Sequence, residues 1–451
     1  MDALVLSRLQ FALTLSYHIL FPTLTIGLAW FLVILEGLWL KTGEERYKTY
    51  AKFWAKIFAL AFGMGVVSGI VLSYEFGTNF SRFSAFAGDI IGPLMGYEVM
   101  SAFFLEAGFL GILLFGWNRV GPRLHFFATL MVAAGTLASA FWILAANSWM
   151  QTPTGHLIEN GRAVVGDWWA IVFNPSFPYR LSHMLTASFL TGAFFVLGVG
   201  AWHARKGRDM AFACTHLKLG LAMAIVLAPL QILIGDLHGL IVREHQPVKV
   251  AAMEGLWETT RGAPMLLFAI PDAKAEENRF EVKIPRLASL ILTHDAHGEV
   301  QGLKSVPASD RPPIGIVFWS FRVMVGLGML MLLTAGLGTW LYWRGRLEKS
   351  PRYLRLATWM TPAGFVATLA GWYVAEVGRQ PWVVYGLQRT ADAVSPIPAG
   401  QVLHTLSLFV AVYSLLFAVF TFYLVRLIRR GPANAAPDVP NLSGRLATTE
   451  V

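Results

Sequence analysis

Residues 11–40 read FALTLSYHILFPTLTIGLAWFLVILEGLWL. As a helix rising about 1.5 Å per residue, such a run is about 45 Å long; a bilayer's hydrocarbon core, about 30 Å thick, needs only about 20 apolar residues. It starts too far from a basic segment, and is too long, to be a cleaved signal peptide. Eight further stretches of this kind follow, at about 54–74, 94–117, 124–146, 183–204, 217–241, 314–343, 357–376 and 400–427. The fold expected is therefore an all-α polytopic membrane protein of nine transmembrane helices. Composition agrees: of 451 residues, 55% are hydrophobic and only 14% charged, with a mean hydropathy of +0.55, against about 25% charged in soluble domains. That excludes a disordered chain, a fibrous protein and an ordinary cytosolic enzyme. The single cysteine, Cys214, excludes a disulfide framework and a cysteine-held metal cluster. A net charge of +9 does not point to nucleic acid, because the basic residues sit in short clusters between apolar runs.

Those clusters give an orientation. On one side the short loops carry nineteen Lys and Arg, from Lys41, Arg46 and Lys48 to Arg426, Arg429 and Arg430; the other side carries six, Arg8, Arg82, Arg162, Arg180, Arg379 and Arg389. Cytoplasmic loops are the Lys- and Arg-rich ones, so the N-terminus is expected outside and the C-terminus in the cytoplasm. The chain divides into a first part, 1–241, with six spans; a polar external loop, 242–313, long enough to be functional or disordered; three more spans, 314–430; and a Pro-, Ala- and Asn-rich tail, 431–451, that reads as disordered. No inverted repeat of the transporter kind is apparent.

Ionisable groups are costly in hydrocarbon and mark function by default. His18 lies in the first span, Glu98 and Glu106 in the third, His183 opens the fifth, Asp236 and His238 end the sixth, Arg322 and Met324 lie in the seventh, and Glu376 ends the eighth. Singly each has an ordinary reading: an interfacial histidine, methionine filler, a water-facing carboxylate, and snorkelling anchors for Arg322 and Arg379. Together, His18, His183, Met324 and Glu376 share one depth in the outer half of the membrane, and all four can bind haem iron. Pro22 lacks the N–H that would bond the carbonyl of His18, so a kink there would make room for a planar ligand. Glu98 and Glu106 stand about 12 Å apart along a helix and on roughly one face, which suits a proton relay or two acids satisfied by neighbouring spans. Gly63, Gly65 and Gly69 follow no strand and fit helix packing better than a dinucleotide loop. His125, His203 and His216 lie at cytoplasmic ends and are given no role.

Longer runs carry a resemblance. Residues 7–14, SRLQFALT, leading to Tyr17 and His18; 75–79, EFGTN; 102–106, AFFLE; 146–151, ANSWMQ; 206–213, KGRDMAFA; and, most specifically, 371–382, GWYVAEVGRQPW, resemble subunit I of the cytochrome bd-type quinol oxidases over about residues 5–430. The resemblance implies a quinol:oxygen oxidoreductase with three haems, two haem b and one haem d. His183 and Met324 would hold the low-spin haem b, and His18 and Glu376 one each of the oxygen-reducing pair. Arg379 would lie near that pair, Arg322 near the low-spin haem, and Trp372 beside a cofactor. Glu98 and Glu106 match the acids of the proton route, and Lys249 and Glu254 the quinol-binding loop, which here is short. Gly235-Asp236-Leu237-His238-Gly239 resembles the cyanide-insensitive branch, in which the third haem is d or another b. Implied partners are a homologous-fold membrane subunit II, often a very small single-span subunit, ubiquinol or menaquinol, dioxygen and the lipid bilayer, in a bacterial inner membrane. An ion transporter using Glu98, Glu106 and Asp236, and a cytochrome b that only relays electrons, are the alternatives of other classes; a visible spectrum separates the three.

Overall fold

In a computed structural model the chain is described over residues 2–432; the greater part of the tail expected at 431–451 lies outside the described residues. Helix α1 (Ala3–Thr42) is capped by Asp2, whose carboxylate accepts from the Val5 amide at 2.8 Å, and closes on Gly43 at φ 71°, the left-handed end that glycine favours. It runs unbroken through Pro22. Helix α2 (Glu45–Thr78) follows, then α3 (Ser81–Tyr97), a π-helical turn at Glu98–Phe103, and α4 (Phe104–Phe115), the three stacked end to end. Helix α5 (Pro122–Gln151) leads to a hairpin of β1 (His156–Glu159) and β2 (Arg162–Val165), and then to the short α6 (Trp168–Val172). Helices α7 (Phe177–Arg205) and α8 (Met210–His245) form an antiparallel pair.

The polar segment 242–313 is folded. Helix α9 (Pro247–Glu254) starts directly after α8, and β3 (Thr260–Arg261), β4 (Met265–Asp272), β5 (Glu277–Ile284), α10 (Leu287–Thr293) and β6 (Glu299–Val300) follow, with β3 paired to β6 and β4 to β5. The chain ends in α11 (Ile314–Trp343), α12 (Pro351–Trp359), α13 (Ala363–Val377), a small β7–β8 hairpin (Trp382–Val384, Gln388–Arg389), α14 (Thr390–Ala393) and α15 (Ala399–Arg430).

Among the described residues, eight helices are long and apolar enough to cross a membrane. The ninth stretch expected, 357–376, is divided between α12 and α13 at Met360–Pro362. Pro362 has no N–H to continue the lower helix and biases the residue before it away from helical geometry. Helix α8 also runs about one turn beyond the expected end at 241, so Asp236 and His238 lie well inside it.

The bundle centres on α1 and α7, the most buried of the long helices; α11 and α15 are largely at its surface. Their crossing depends on missing side chains. A methyl group added at Gly27 would stand 2.9 Å from the Cα of Gly192, and one at Gly192 2.8 Å from the Cα of Gly27. Backbone contact of this kind replaces the hydrophobic drive that lipid removes. Gly192→Val should therefore push α1 from α7 and cost about 1–3 kcal/mol, read as a lowered thermal midpoint in detergent. Gly111→Ala, where nothing lies within 4 Å, should leave the midpoint unchanged or raise it.

Candidate functional site

Three of the four proposed iron ligands sit against glycine. The His18 ring hydrogen-bonds through Nδ1 to Ser68 Oγ at 3.0 Å, and Ser68 is fixed in turn on the carbonyls of Met64 and Gly65. A methyl group at Gly69 would stand 3.1 Å from Cε1 of His18. His183, on α7, has a buried Nδ1 with no protein partner and meets the His238 ring edge-on at a 5.3 Å centroid distance; a methyl group at Gly235 would lie 3.3 Å from its Cε1. Met324, on α11, faces Gly371 of α13, where a methyl group would come within 3.0 Å of Sδ. No group of three or more His, Cys, Asp or Glu able to hold a bare metal ion occurs among the described residues.

Glu376, at the end of α13, is held by three donors. Arg379, one turn on, binds Oε2; Asn147 and Gln151 of α5 donate to Oε1 at 2.9 and 3.3 Å. Asn147 Oδ1 accepts from Arg180 at 3.1 Å, and Gln151 Oε1 accepts from Lys249 Nζ at 2.7 Å and from Gln246 Nε2 at 3.1 Å. Lys249 and the Glu376 carboxylate are thus joined through one amide. Burial pulls the Lys249 ammonium well below the usual lysine range, and Arg180 and Arg379 nearby add to the shift. Nε of Arg180, and Nε and Nη1 of Arg379, are buried without any acceptor. A buried guanidinium with unmet donors calls for an anion, and the donor set suits the paired carboxylates of a haem.

Glu254 goes elsewhere. Its carboxylate meets Arg322 at 3.3 Å, and Arg322 also donates to the carbonyls of Met253 and Leu266 while lying 4.0 Å over the Phe318 ring. Burial raises the Glu254 carboxyl, with Arg322 opposing. Lys249 and Glu254 therefore bracket α9 at its two ends and face different partners. Trp372, on α13, packs against the buried cluster of Ile26, Ala140, Leu144, Ala145 and Phe177.

Glu98 and Glu106 both face α5. Glu98 accepts from Ser139 Oγ at 2.8 Å, and Glu106 is buried against Gly135, one turn away, where an added methyl group would overlap its Cγ. The three histidines given no role are each hydrogen-bonded: His125 to Glu36 at 2.8 Å, His203 to the Ile428 carbonyl at 3.0 Å, and His216 to Trp54 and the Phe212 carbonyl.

Sequence reasoning named no role for Ser68, Asn147, Gln151, Arg180, Gln246 or Ser139. A search for ionisable groups passes over uncharged amides and hydroxyls. The available signal was Asn147 and Gln151 four apart in an apolar helix, which places both on one face. Gln151→Leu should cost about 1–3 kcal/mol, because it leaves the Lys249 amine buried without an acceptor. Combined with Lys249→Met, the loss should be smaller than the sum of the two single losses, a coupling read from thermal midpoints in a double-mutant cycle.

The sequence profile of the family described as cytochrome bd terminal oxidase subunit I matches residues 6–432. Cytochrome bd ubiquinol oxidase subunit 1 of Bacillus subtilis is 39% identical over 442 residues, covering 96% of this chain and 94% of that protein. Cytochrome bd-II ubiquinol oxidase subunit 1 of Escherichia coli is 32% identical, covering 97% and 99%. The solved structure of bd oxidase from Geobacillus thermodenitrificans superposes with a TM-score of 0.89 at 32% identity, covering 96% of this chain and 99% of its own. With fold, length and motifs in agreement, the chain belongs to the cytochrome bd terminal oxidase subunit I family.

Proposed function

We propose that this chain is the haem-bearing subunit of a terminal quinol oxidase, in which His18, His183, Met324 and Glu376 hold the haem irons. The family supports quinol:oxygen oxidoreductase activity in a multi-pass membrane protein that works with a subunit II. The observation that carries the ligand assignment is the glycine beside His18, His183 and Met324: each ring or thioether borders a helix face that carries no side chain, where a flat macrocycle could approach. Haem, when bound, supplies one-electron transfer and dioxygen chemistry. The assignment is His183 and Met324 for a low-spin haem b, and His18 and Glu376 for a second haem b and a haem d, or b in the cyanide-insensitive branch. A carboxylate has about four acceptor positions, so the three donors on Glu376 leave one for a metal.

The remaining roles belong to the chain's own side chains. The quinol-binding groups are Lys249 and Glu254; the Glu254 carboxyl, raised by burial, is placed to take a proton from a quinol hydroxyl. Arg322 orients Glu254, and Arg379 holds Glu376. In the orientation with the N-terminus outside and nine spans, counting α13 with α12, Glu106 lies nearer the cytoplasm and Glu98 nearer the iron ligands. Protons for dioxygen reduction then enter from the cytoplasm past Glu106 and Glu98, and quinol protons leave outside, so charge separates without a pump. The setting proposed is a bacterial inner membrane, with a very small single-span subunit as a further partner and ubiquinol or menaquinol as reductant.

His183→Ala and Met324→Leu should each remove one low-spin haem from the reduced visible spectrum while the protein stays in the membrane; retention of every low-spin feature in both would overturn the pairing. Glu106→Gln keeps size and hydrogen bonding but cannot relay a proton. Turnover per haem should fall about a hundredfold or more, the scale of acid–base contributions, with haem content near normal. Full turnover would make the pair packed, satisfied acids.

A further inference from the structure

The β4–β5 hairpin leaves an apolar surface uncovered beside the membrane-spanning helices. Phe268 pairs across the strands with Val282, and Ile284 stands two residues from Val282; all three are exposed, so these three share a face. Phe280 lies in the irregularity between the Phe268–Val282 and Ile270–Arg279 pairs, in the left-handed conformation at φ 57°, and is 76% exposed. A bulky side chain rarely adopts that backbone, and a strand irregularity of this kind re-aims a side chain. Here it holds a phenylalanine outward, away from any core.

What the face meets follows from its continuity with α11. The Phe268 ring lies edge-on to Trp319 at 5.2 Å. Trp319 belongs to an exposed stripe with Ile316 and Val323, spaced three and four residues apart on one face of a membrane-spanning helix. Tryptophans of such helices gather at the level of the lipid headgroups. Charges flank the apolar face: Arg279 is paired with Asp272 at 2.7 Å, and Lys283 with Glu281 at 2.8 Å. The hairpin is also tied to the candidate quinol residues. The Leu266 carbonyl accepts from Arg322 Nε at 3.0 Å, and Asn278 links the Gly255 carbonyl at 2.8 Å to the Trp257 indole at 3.2 Å.

We propose that this hairpin docks into the lipid leaflet around the outer end of α11, with Phe280, Phe268, Val282 and Ile284 as its inserted face, and so holds the Glu254–Arg322 region at the bilayer edge from which a lipid-soluble quinol arrives. The docking itself does not depend on the oxidase reading; only its consequence for quinol does.

The test uses the full oxidase complex in phosphatidylcholine vesicles. Phe280→Cys, made with Cys214→Ser, is labelled with an environment-sensitive nitrobenzoxadiazole dye, and the signal is taken as the difference from the complex without the introduced cysteine. Compared with the same label placed by Lys274→Cys in the exposed hairpin turn, emission should shift to the blue, be quenched by nitroxide-bearing lipid and be protected from aqueous iodide. Equal iodide quenching at both positions overturns the docking. Protection from both quenchers also overturns it, by showing that a protein partner covers the face. None of this requires turnover, so failure of the oxidase reading would leave it intact. In the same vesicles Phe280→Asp should raise the KM for a long-chain quinol several-fold, with kcat, haem content and the KM for a water-soluble short-chain quinol unchanged. An equal rise for both quinols would place Phe280 in the binding site instead.

Discussion

A buried lysine amine and a half-buried glutamate carboxylate are held in one hydrogen-bonded chain by the amide of Gln151. Removing an ion from water costs several kcal/mol, recovered only where its hydrogen bonds are met. The amide suits the place because its two ends differ: the oxygen only accepts, here from Lys249 and Gln246, and the nitrogen only donates, here to Glu376. A glutamate in its place would set a second carboxylate against Glu376. Three elements meet at this point, the end of α5, the start of α9 and the end of α13. The Gln246 amide also donates to the Gln151 carbonyl at 2.7 Å, so the chain leaving α8 is fastened to the end of α5 as α9 begins. The folded segment 242–313 is therefore positioned by these polar contacts with the bundle rather than hung from two spans.

Charge at that centre is out of balance within the chain. Two buried arginines face one carboxylate, and three of their nitrogens have no acceptor. With the Lys249 ammonium pulled down by burial, an excess of positive charge still remains. Such a cluster is costly alone and becomes favourable when an anion closes it. The proposed haems would bring carboxylates to a place already lacking them, which accounts for polar side chains that protein packing alone leaves unsatisfied.

Most of the bundle was legible because a membrane reduces fold to a nearly one-dimensional rule: apolar runs span, and helices satisfy their own backbone. The run 357–376 shows where that rule stops. Its hydropathy is continuous, but Pro362 interrupts backbone hydrogen bonding, which a hydropathy average does not sense. The fold of 242–313 was illegible for a related reason. Two of its strands, β3 and β6, have only two residues each, and the segment is tied by side-chain hydrogen bonds between residues far apart in sequence, such as Asn278 to the Gly255 carbonyl and the Ala263 amide to Ser289. Among site residues, charged and metal-binding types stood out against hydrocarbon, whereas Asn147 and Gln151 did not. Their importance comes from what they join, three segments far apart in the chain.

The acids of the third span show how a small departure from helical regularity changes chemistry. In an unbroken α-helix, side chains eight residues apart point about 80° away from one another, since each residue turns the helix by about 100°. Between Glu98 and Glu106 lies the π-helical turn Glu98–Phe103, in which one residue more is taken up per turn. That extra residue returns about 100° of rotation, leaving the two carboxylates about 20° apart. Ser139 and Gly135, the residues they face, are one turn apart on α5, as that alignment requires. Gly135 then has a defined purpose, since any side chain there would occupy the volume of the Glu106 methylenes. Spacing alone put the acids on roughly one face; the inserted turn brings both onto the same neighbouring helix, where a proton could pass from one to the other without leaving the interface of α5 with α3 and α4.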